Sequence, residues 1–239
     1  MSRPRFFVSQ TCGPGREIEL DALDARHATL VLRMKAGGEV TLVRDGVAWN
    51  ATLSHVGADG VRATCAGVAA GERGELPLDV SLLQGVTKGA KFDFVVEKAV
   101  ELGVRRIVPV ECERSSARAG QQKIDRWRRI ARAAAEQSRR VNLPTVEATR
   151  DWASAVREAA GKLIVAVESA PPGSLAPIVR ALKARDVLTI AVGPEGSFTE
   201  SELETARAAG ATLVSLGPTI LRTETAAMAL LAAIASHFW

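Results

Sequence analysis

Apolar residues along this chain fall into two regimes. Up to about residue 70 they form short strand-like runs, Val40 to Val43, Trp49 to Leu53 and Val61 to Cys65, separated by the turn pairs Asp45-Gly46 and Asp59-Gly60. Ahead of them, Asp24 to Met34 has helical spacing, with Ala28, Val31 and Leu32 on one side. The pattern predicts a small β-barrel with one helix. Gly67 to Pro77 (GVAAGERGELP) is polar and glycine-rich, and a domain boundary is placed there, giving domains 1–72 and 73–239.

Beyond it, apolar runs of strand length alternate with helical patterns. Strands are predicted at Leu78 to Leu83, Val104 to Val110, Leu163 to Val167, Val187 to Val192 and Ala211 to Leu216. Helices are predicted at Lys88 to Leu102, Lys123 to Arg140, Glu200 to Ala209 and Ala226 to Phe238. Thr199 with Glu202 three residues on makes a capping box, and Gly210 closes that helix. Such alternation indicates an α/β domain, with a mostly parallel sheet and helices on both faces.

Two of these strands end alike. Val187 to Val192 runs into Gly193-Pro194-Glu195-Gly196-Ser197, and Ala211 to Leu216 runs into Gly217-Pro218, each ahead of a helix. In open α/β sheets ligands bind beyond the carboxyl ends of the strands, so these two turns read as walls of one ligand site. Between the second turn and its helix, Ile220-Leu221-Arg222-Thr223-Glu224 places one arginine in an otherwise apolar loop. Either it points to solvent as an ordinary turn residue, or it serves that site.

The chain of 239 residues carries a net charge of +4, but the charge is unevenly spread. Residues 1–72 balance eight basic against eight acidic side chains, residues 88–140 hold fourteen against seven, and residues 151–239 hold seven against nine. A basic middle suits a surface that faces phosphates, and a solvated helix face would produce the same count. The helix Lys123 to Arg140 combines both features. Ile124, Trp127, Ile130, Ala131, Ala134 and Ala135 form an apolar stripe, and Arg126, Arg128, Arg129, Arg132, Arg139 and Arg140 occupy much of the remainder. Three widely spaced cysteines suit reduced thiols in the cytoplasm, and three histidines without paired Cys/His spacing give no metal site. No apolar run is long enough to span a bilayer.

GPEG after an apolar strand, then LGPTILRTETA before a terminal helix, resembles the ribosomal RNA small-subunit methyltransferase E family of the SPOUT superfamily. The resemblance extends over nearly the whole chain. It includes Lys98 to Gly103, Pro109, Glu113-Arg114-Ser115 and Glu136-Gln137-Ser138-x-Arg140, and His27-x-x-x-Val31-Leu32-Arg33 with Lys35-x-Gly37. Three positions depart from the family pattern: Val100 replaces a threonine or serine, and Arg139 and Ser197 each replace a glycine. The resemblance implies a knotted SPOUT-type parallel-sheet domain preceded by a PUA-like RNA-binding β-barrel. It also implies a homodimer that uses S-adenosylmethionine to methylate N3 of a uridine in 16S rRNA of the small ribosomal subunit.

No G-x-G-x-x-G or P-loop is present, and S-adenosylmethionine, which has no phosphate, needs neither. Gly193, Gly196 and Gly217 allow close backbone approach, and Val167, Leu216, Ile220 and Leu221 supply apolar walls. By resemblance, Pro194, Glu195, Arg222, Thr225 and Ala226 complete the cofactor set. Arg222 cannot act as a base, but it suits a phosphate or an anion that develops on the target ring. Glu195 reads equally as a cofactor ligand or a helix cap, Glu224 reads as a helix-start carboxylate, and the proton acceptor is not identified. RNA contacts are expected at Arg5, Arg33, Lys88, Lys98, Arg114, Arg139 and Arg140. Two other readings stay open: a different SPOUT enzyme, acting on a ribose 2′-hydroxyl, and a non-enzymatic rRNA-binding assembly factor.

Overall fold

The computed structural model describes residues 3–70 and 75–239, so the boundary expected at residues 72 and 73 lies outside the described residues. The chain divides into two compact units, Met1–Glu75 with Ala135–Leu143, and Leu76–Ala134 with Pro144–Trp239. Ala135–Leu143 had been expected in the second domain.

In the first unit the described strands are β1 (Arg5–Phe7), β2 (Glu17–Glu19), β3 (Glu39–Arg44), β4 (Val47–Gly57) and β5 (Gly60–Val68). They form one sheet in the order β1-β3-β4-β5-β2. Asp45 and Gly46 both have positive φ, as a two-residue hairpin turn between β3 and β4 requires. Among the described residues no pairing joins β1 to β2, so the sheet is open where a closed barrel had been expected. Its inward side chains, Phe6, Ile18, Val40, Leu42, Leu53 and Val61 among them, make one core. The expected helix over Asp24 to Met34 is instead α1 (Ala22–Arg26), capped by Asp21, followed by a π-helical turn at His27–Val31. The wider turn rotates the predicted stripe out of register. Ala28 stays buried, while Val31 and Leu32 are exposed. His27 meets Phe6 edge-on at 6.3 Å.

Arg140 explains why its segment groups with this unit. Its Nε and Nη2 donate to Glu75 Oε2 at 3.0 and 2.6 Å, and Glu75 Oε1 accepts the backbone N–H of Val141 and Asn142. Arg5 Nη1 donates to the Arg140 carbonyl at 3.0 Å. Burial pushes the Glu75 carboxyl up, but these donors outweigh it and hold the group below its ordinary value.

The second unit alternates strands and helices: β6 (Asp79–Gly85), α2 (Lys91–Glu101), β7 (Arg106–Glu111), α3 (Gln121–Gln137), β8 (Thr145–Val146), β9 (Arg150–Asp151) and α4 (Trp152–Arg157). Then come β10 (Lys162–Ala166), α5 (Leu175–Arg180), β11 (Val187–Val192), α6 (Glu200–Ala208), β12 (Thr212–Val214) and α7 (Thr223–Ala235). The last residues of α3, from Ala135 on, belong to the first unit. The sheet runs β12-β10-β11-β6-β7-β8 with β9 also on β7, and every described pairing is parallel. The capping box at α6 is present, with Thr199 N–H donating to Glu202 Oε2 at 2.8 Å. On α3, Ile124, Trp127 and Ala131 are buried, and Trp127 stacks on Phe92 at 3.9 Å.

Register decides what the sheet can bind. Ala166 pairs with Val192 and Val214, and Val192 pairs with Gln84. The chain therefore leaves β10, β11, β12 and β6 side by side, presenting Val167, Gly193, Ser215 and Gly85 along one carboxyl edge.

Candidate active site

A cavity of about 390 Å³ opens at that edge. Its walls include Val167 and Glu168 after β10, Gly193, Pro194, Glu195 and Ser197 after β11, and the continuous segment Ser215 to Glu224 after β12. Both Gly-Pro turns thus border one space. Leu216, Gly217, Pro218, Ile220, Leu221, Arg222 and Ala226, all expected there, line it, as do Lys91, Ala166, Val192, Thr219 and Thr223, which were not.

Thr223, the first residue of α7, joins the two turns. Its Oγ1 donates to the Gly193 carbonyl at 2.5 Å and accepts from Gln84 Nε2 at 2.9 Å. Gln84 is fully buried at the end of β6. One residue on, the backbone of Gly85 lies against the first turn: a Cβ there would stand 2.3 Å from Pro194 N and 2.7 Å from the Gly193 carbonyl carbon. Glycine is required at this position by space. Neither Gln84 nor Gly85 was singled out beforehand. The available signals were an uncharged polar residue and a glycine directly after the apolar pair Leu82-Leu83.

At the lip of the cavity Glu195 is engaged through both of its carboxylate oxygens. Glu195 Oε1 accepts from Lys91 Nζ at 3.2 Å and the Lys88 N–H at 3.3 Å, and Oε2 accepts from Ser116 Oγ at 3.1 Å. Partial burial pushes the Glu195 carboxyl up, yet its own backbone N–H, Lys91, Lys88 and Ser116 hold it below the usual carboxylate range. Ser197 has φ +60°, the left-handed conformation that glycine adopts freely, and its N–H bonds the Pro194 carbonyl at 2.9 Å. Arg139, at the other departure from a glycine, has φ +60° as well.

Two expected cofactor residues do not line the cavity. Gly196 lies against Arg114, whose Cβ would be 2.8 Å from an added Cβ, and Thr225 projects from the exposed side of α7. Three expected RNA contacts need correction. Arg5 and Arg140 are buried, each only 7% exposed, and structural for the reason given above. Lys98 sits between Glu97 at 2.7 Å and Glu101 at 2.8 Å, whose two charges outweigh its own. Lys88 and Arg114 are exposed beside the Gly193–Ser197 turn, with the Lys88 N–H on Glu195 and Arg114 Nη1 donating to the Gly196 carbonyl at 3.3 Å. Arg33 and Arg139 are exposed elsewhere. On α3, Arg126 is held by Asp93 at 2.6 Å and Arg128 donates to the Val146 carbonyl.

Arg222 is exposed and lines the cavity, with an extended backbone (φ −64°, ψ 153°) just before α7 and no hydrogen bond to its guanidinium among the described residues. Among the described residues there is no group of His, Cys, Asp or Glu able to hold a metal ion, and no helix long and apolar enough to cross a membrane.

A parallel α/β sheet with this cleft at its carboxyl edge matches the RNA methyltransferase domain family over residues 74–235, and the chain is an RNA methyltransferase. It is 33% identical over 245 residues to the ribosomal RNA small subunit methyltransferase E of Bacillus subtilis, covering 96% of this chain and 95% of that protein. Among solved structures it is similar to a ribosomal RNA small subunit methyltransferase E from Neisseria gonorrhoeae bound to S-adenosyl methionine, with TM-score 0.88, 32% identity and 98% of each chain covered. A Legionella pneumophila methyltransferase with bound SAM cofactor gives TM-score 0.85 at 29% identity, over 99% of this chain and 98% of that one. The chain belongs to the ribosomal RNA small subunit methyltransferase E family.

Proposed function

We propose that this protein methylates N3 of a specific uridine in 16S rRNA of the small ribosomal subunit, with S-adenosylmethionine as the methyl donor. The observation that carries the reading is the cavity walled by both Gly-Pro turns and fastened by Thr223, with Arg222 on its edge. The residues fit that ligand. The volume lies in the range of small-molecule sites, Val167, Leu216, Ile220 and Leu221 offer apolar walls, and Gly193 and Gly217 let backbone approach closely. No phosphate cradle is needed. Bound S-adenosylmethionine supplies an electrophilic methyl group on its sulfonium.

The protein's own contribution is position and charge. The Gln84–Thr223–Gly193 chain of hydrogen bonds fixes one turn against the other, which holds the reacting partners in line. Arg222, permanently charged and unengaged, pairs with the target phosphate or with the negative charge that develops on the uracil carbonyls. Lys88 and Arg114 beside the Gly193–Ser197 turn, with Arg33 and Arg139 elsewhere on the surface, contact the RNA backbone. We read the first unit as a PUA-like RNA-binding domain, the second as a SPOUT domain with a C-terminal trefoil knot, and the working protein as a cytoplasmic homodimer. Incubation with labelled cofactor and unmethylated small subunits, followed by nucleoside mapping, tests the function. N3-methyluridine at one site is expected. A ribose methyl, or none at all, overturns the reading.

A further inference from the structure

N3 of uracil carries a proton that must leave when a methyl arrives, and Arg222 cannot take it. We infer that Glu224 is the proton acceptor, an inference that rests on the N-methylation reading above. The charged residues facing the cavity are Lys91, Glu168, Glu195, Arg222 and Glu224, so three carboxylates compete for the role. Glu195 has spent both oxygens, Oε1 on Lys91 and Lys88 and Oε2 on Ser116. Glu168 stands exposed beyond the end of β10, open to hydration and far less enclosed than a group that must meet the ring away from water. Glu224 differs from both. It is half-buried in the first turn of α7, two residues from Arg222, and neither of its oxygens accepts a hydrogen bond among the described residues. Its Oε2 is enclosed without any donor. A charged, partly buried carboxylate with no donor is costly, and taking up a proton relieves that cost. As Thr223 is locked to Gly193, the backbone carrying Glu224 is held in place relative to the cofactor turn.

The N3–H bond breaks and its proton passes to the Glu224 carboxylate. The electron pair left on N3 forms the new bond to the methyl carbon. The carbon–sulfur bond breaks with its pair retained by sulfur, leaving a neutral thioether, and the proton on Glu224 is later lost to solvent. Glu224 is therefore a catalytic residue, and Arg222 beside it stabilises the charge that forms on the ring.

The test compares wild type, Glu224→Gln and Glu224→Asp as full-length protein on unmethylated small subunits. Binding of S-adenosylhomocysteine is followed by calorimetry and folding by circular dichroism. Glu224→Gln is expected to bind within about threefold of wild type while kcat falls by about 10²–10⁴-fold. Its residual rate should climb roughly tenfold per pH unit, as hydroxide replaces the missing base, and Glu224→Asp should recover part of the loss. A Glu224→Gln kcat within about threefold of wild type overturns the assignment, and so does a pH profile parallel to wild type. Loss of ligand binding in both variants, which would make Glu224 a binding residue, also overturns it. Wild-type protein that forms no N3-methyluridine overturns the underlying function instead, and this control separates the two failures.

Discussion

Substituting Gly85 by alanine adds one methyl group to a place with no room for it. The new Cβ would lie 2.3 Å from Pro194 N and 2.7 Å from the Gly193 carbonyl carbon, and both neighbours are backbone. Carbon makes unstrained contacts at about 3.5–4.0 Å, so the turn or the strand end must retreat by roughly 1 Å. Overpacking of this size costs about 1–3 kcal/mol. The displaced atoms border the cavity and carry the carbonyl that Thr223 holds, and a distortion that takes about 1–3 kcal/mol from ligand binding is expected to weaken cofactor affinity by roughly five- to 150-fold. Calorimetric titration with S-adenosylhomocysteine and urea denaturation, run on the same preparation, measure both quantities. Gly120→Ala is the control, because an added Cβ there meets nothing within 4 Å, and about 0.5 kcal/mol or less is expected. If Gly85→Ala binds the cofactor product within twofold of wild type and unfolds at the same urea concentration, the close approach of strand and turn plays no part in the site.

Thr223→Val removes the hydroxyl between Gln84 and Gly193, leaving buried polar groups unpaired at about 1–3 kcal/mol, whereas Thr223→Ser should retain most of the cofactor affinity in calorimetry. Arg140→Ala takes the guanidinium from Oε2 of the partly buried Glu75 carboxylate and should lower stability by about 1–3 kcal/mol in denaturant titrations, a loss that a surface phosphate contact would not produce. The Glu75 carboxyl is depressed in the folded state, so its contribution is complete above its ordinary value of 4.5 and is lost as pH falls through the lower folded value. Glu75→Gln should flatten that acid limb in stability measured against pH. Ser197→Gly relieves a left-handed residue worth about 1–2 kcal/mol, partly offset by about 0.5–1 kcal/mol of added chain entropy, and should raise the denaturation midpoint slightly or leave it unchanged.

The alternating strands and helices of the second unit were legible because each has a local cause. Val187–Val192 is apolar apart from Thr189 and bounded by polar residues and Gly-Pro, and it forms β11 over the expected span. Thr199 and Glu202 cap α6 through their own side chains, three residues apart. The two Gly-Pro turns could be paired as walls because both follow strands of a parallel sheet. Strands β1 and β2 were not legible, since three residues are too few for alternation to register and β1 pairs with a strand some thirty-five residues away. Arg5, Lys98 and Arg140 were misread for a related reason. A sequence displays an arginine's charge but not the carboxylate or carbonyl that consumes it.

The sequence by itself determined which segments become strands and helices, and it marked the two turns and the arginine of the site, because periodicity, caps and Gly-Pro breaks act over a few residues. Only the tertiary structure decided how close those segments come. It brought Gly85 against Pro194, placed the Thr223 hydroxyl between Gln84 and Gly193, left Glu224 without a donor and buried Arg140 on Glu75. Those contacts join residues far apart in the chain, and their energies depend on separations of a few tenths of an ångström, which are set by the packing of the whole sheet.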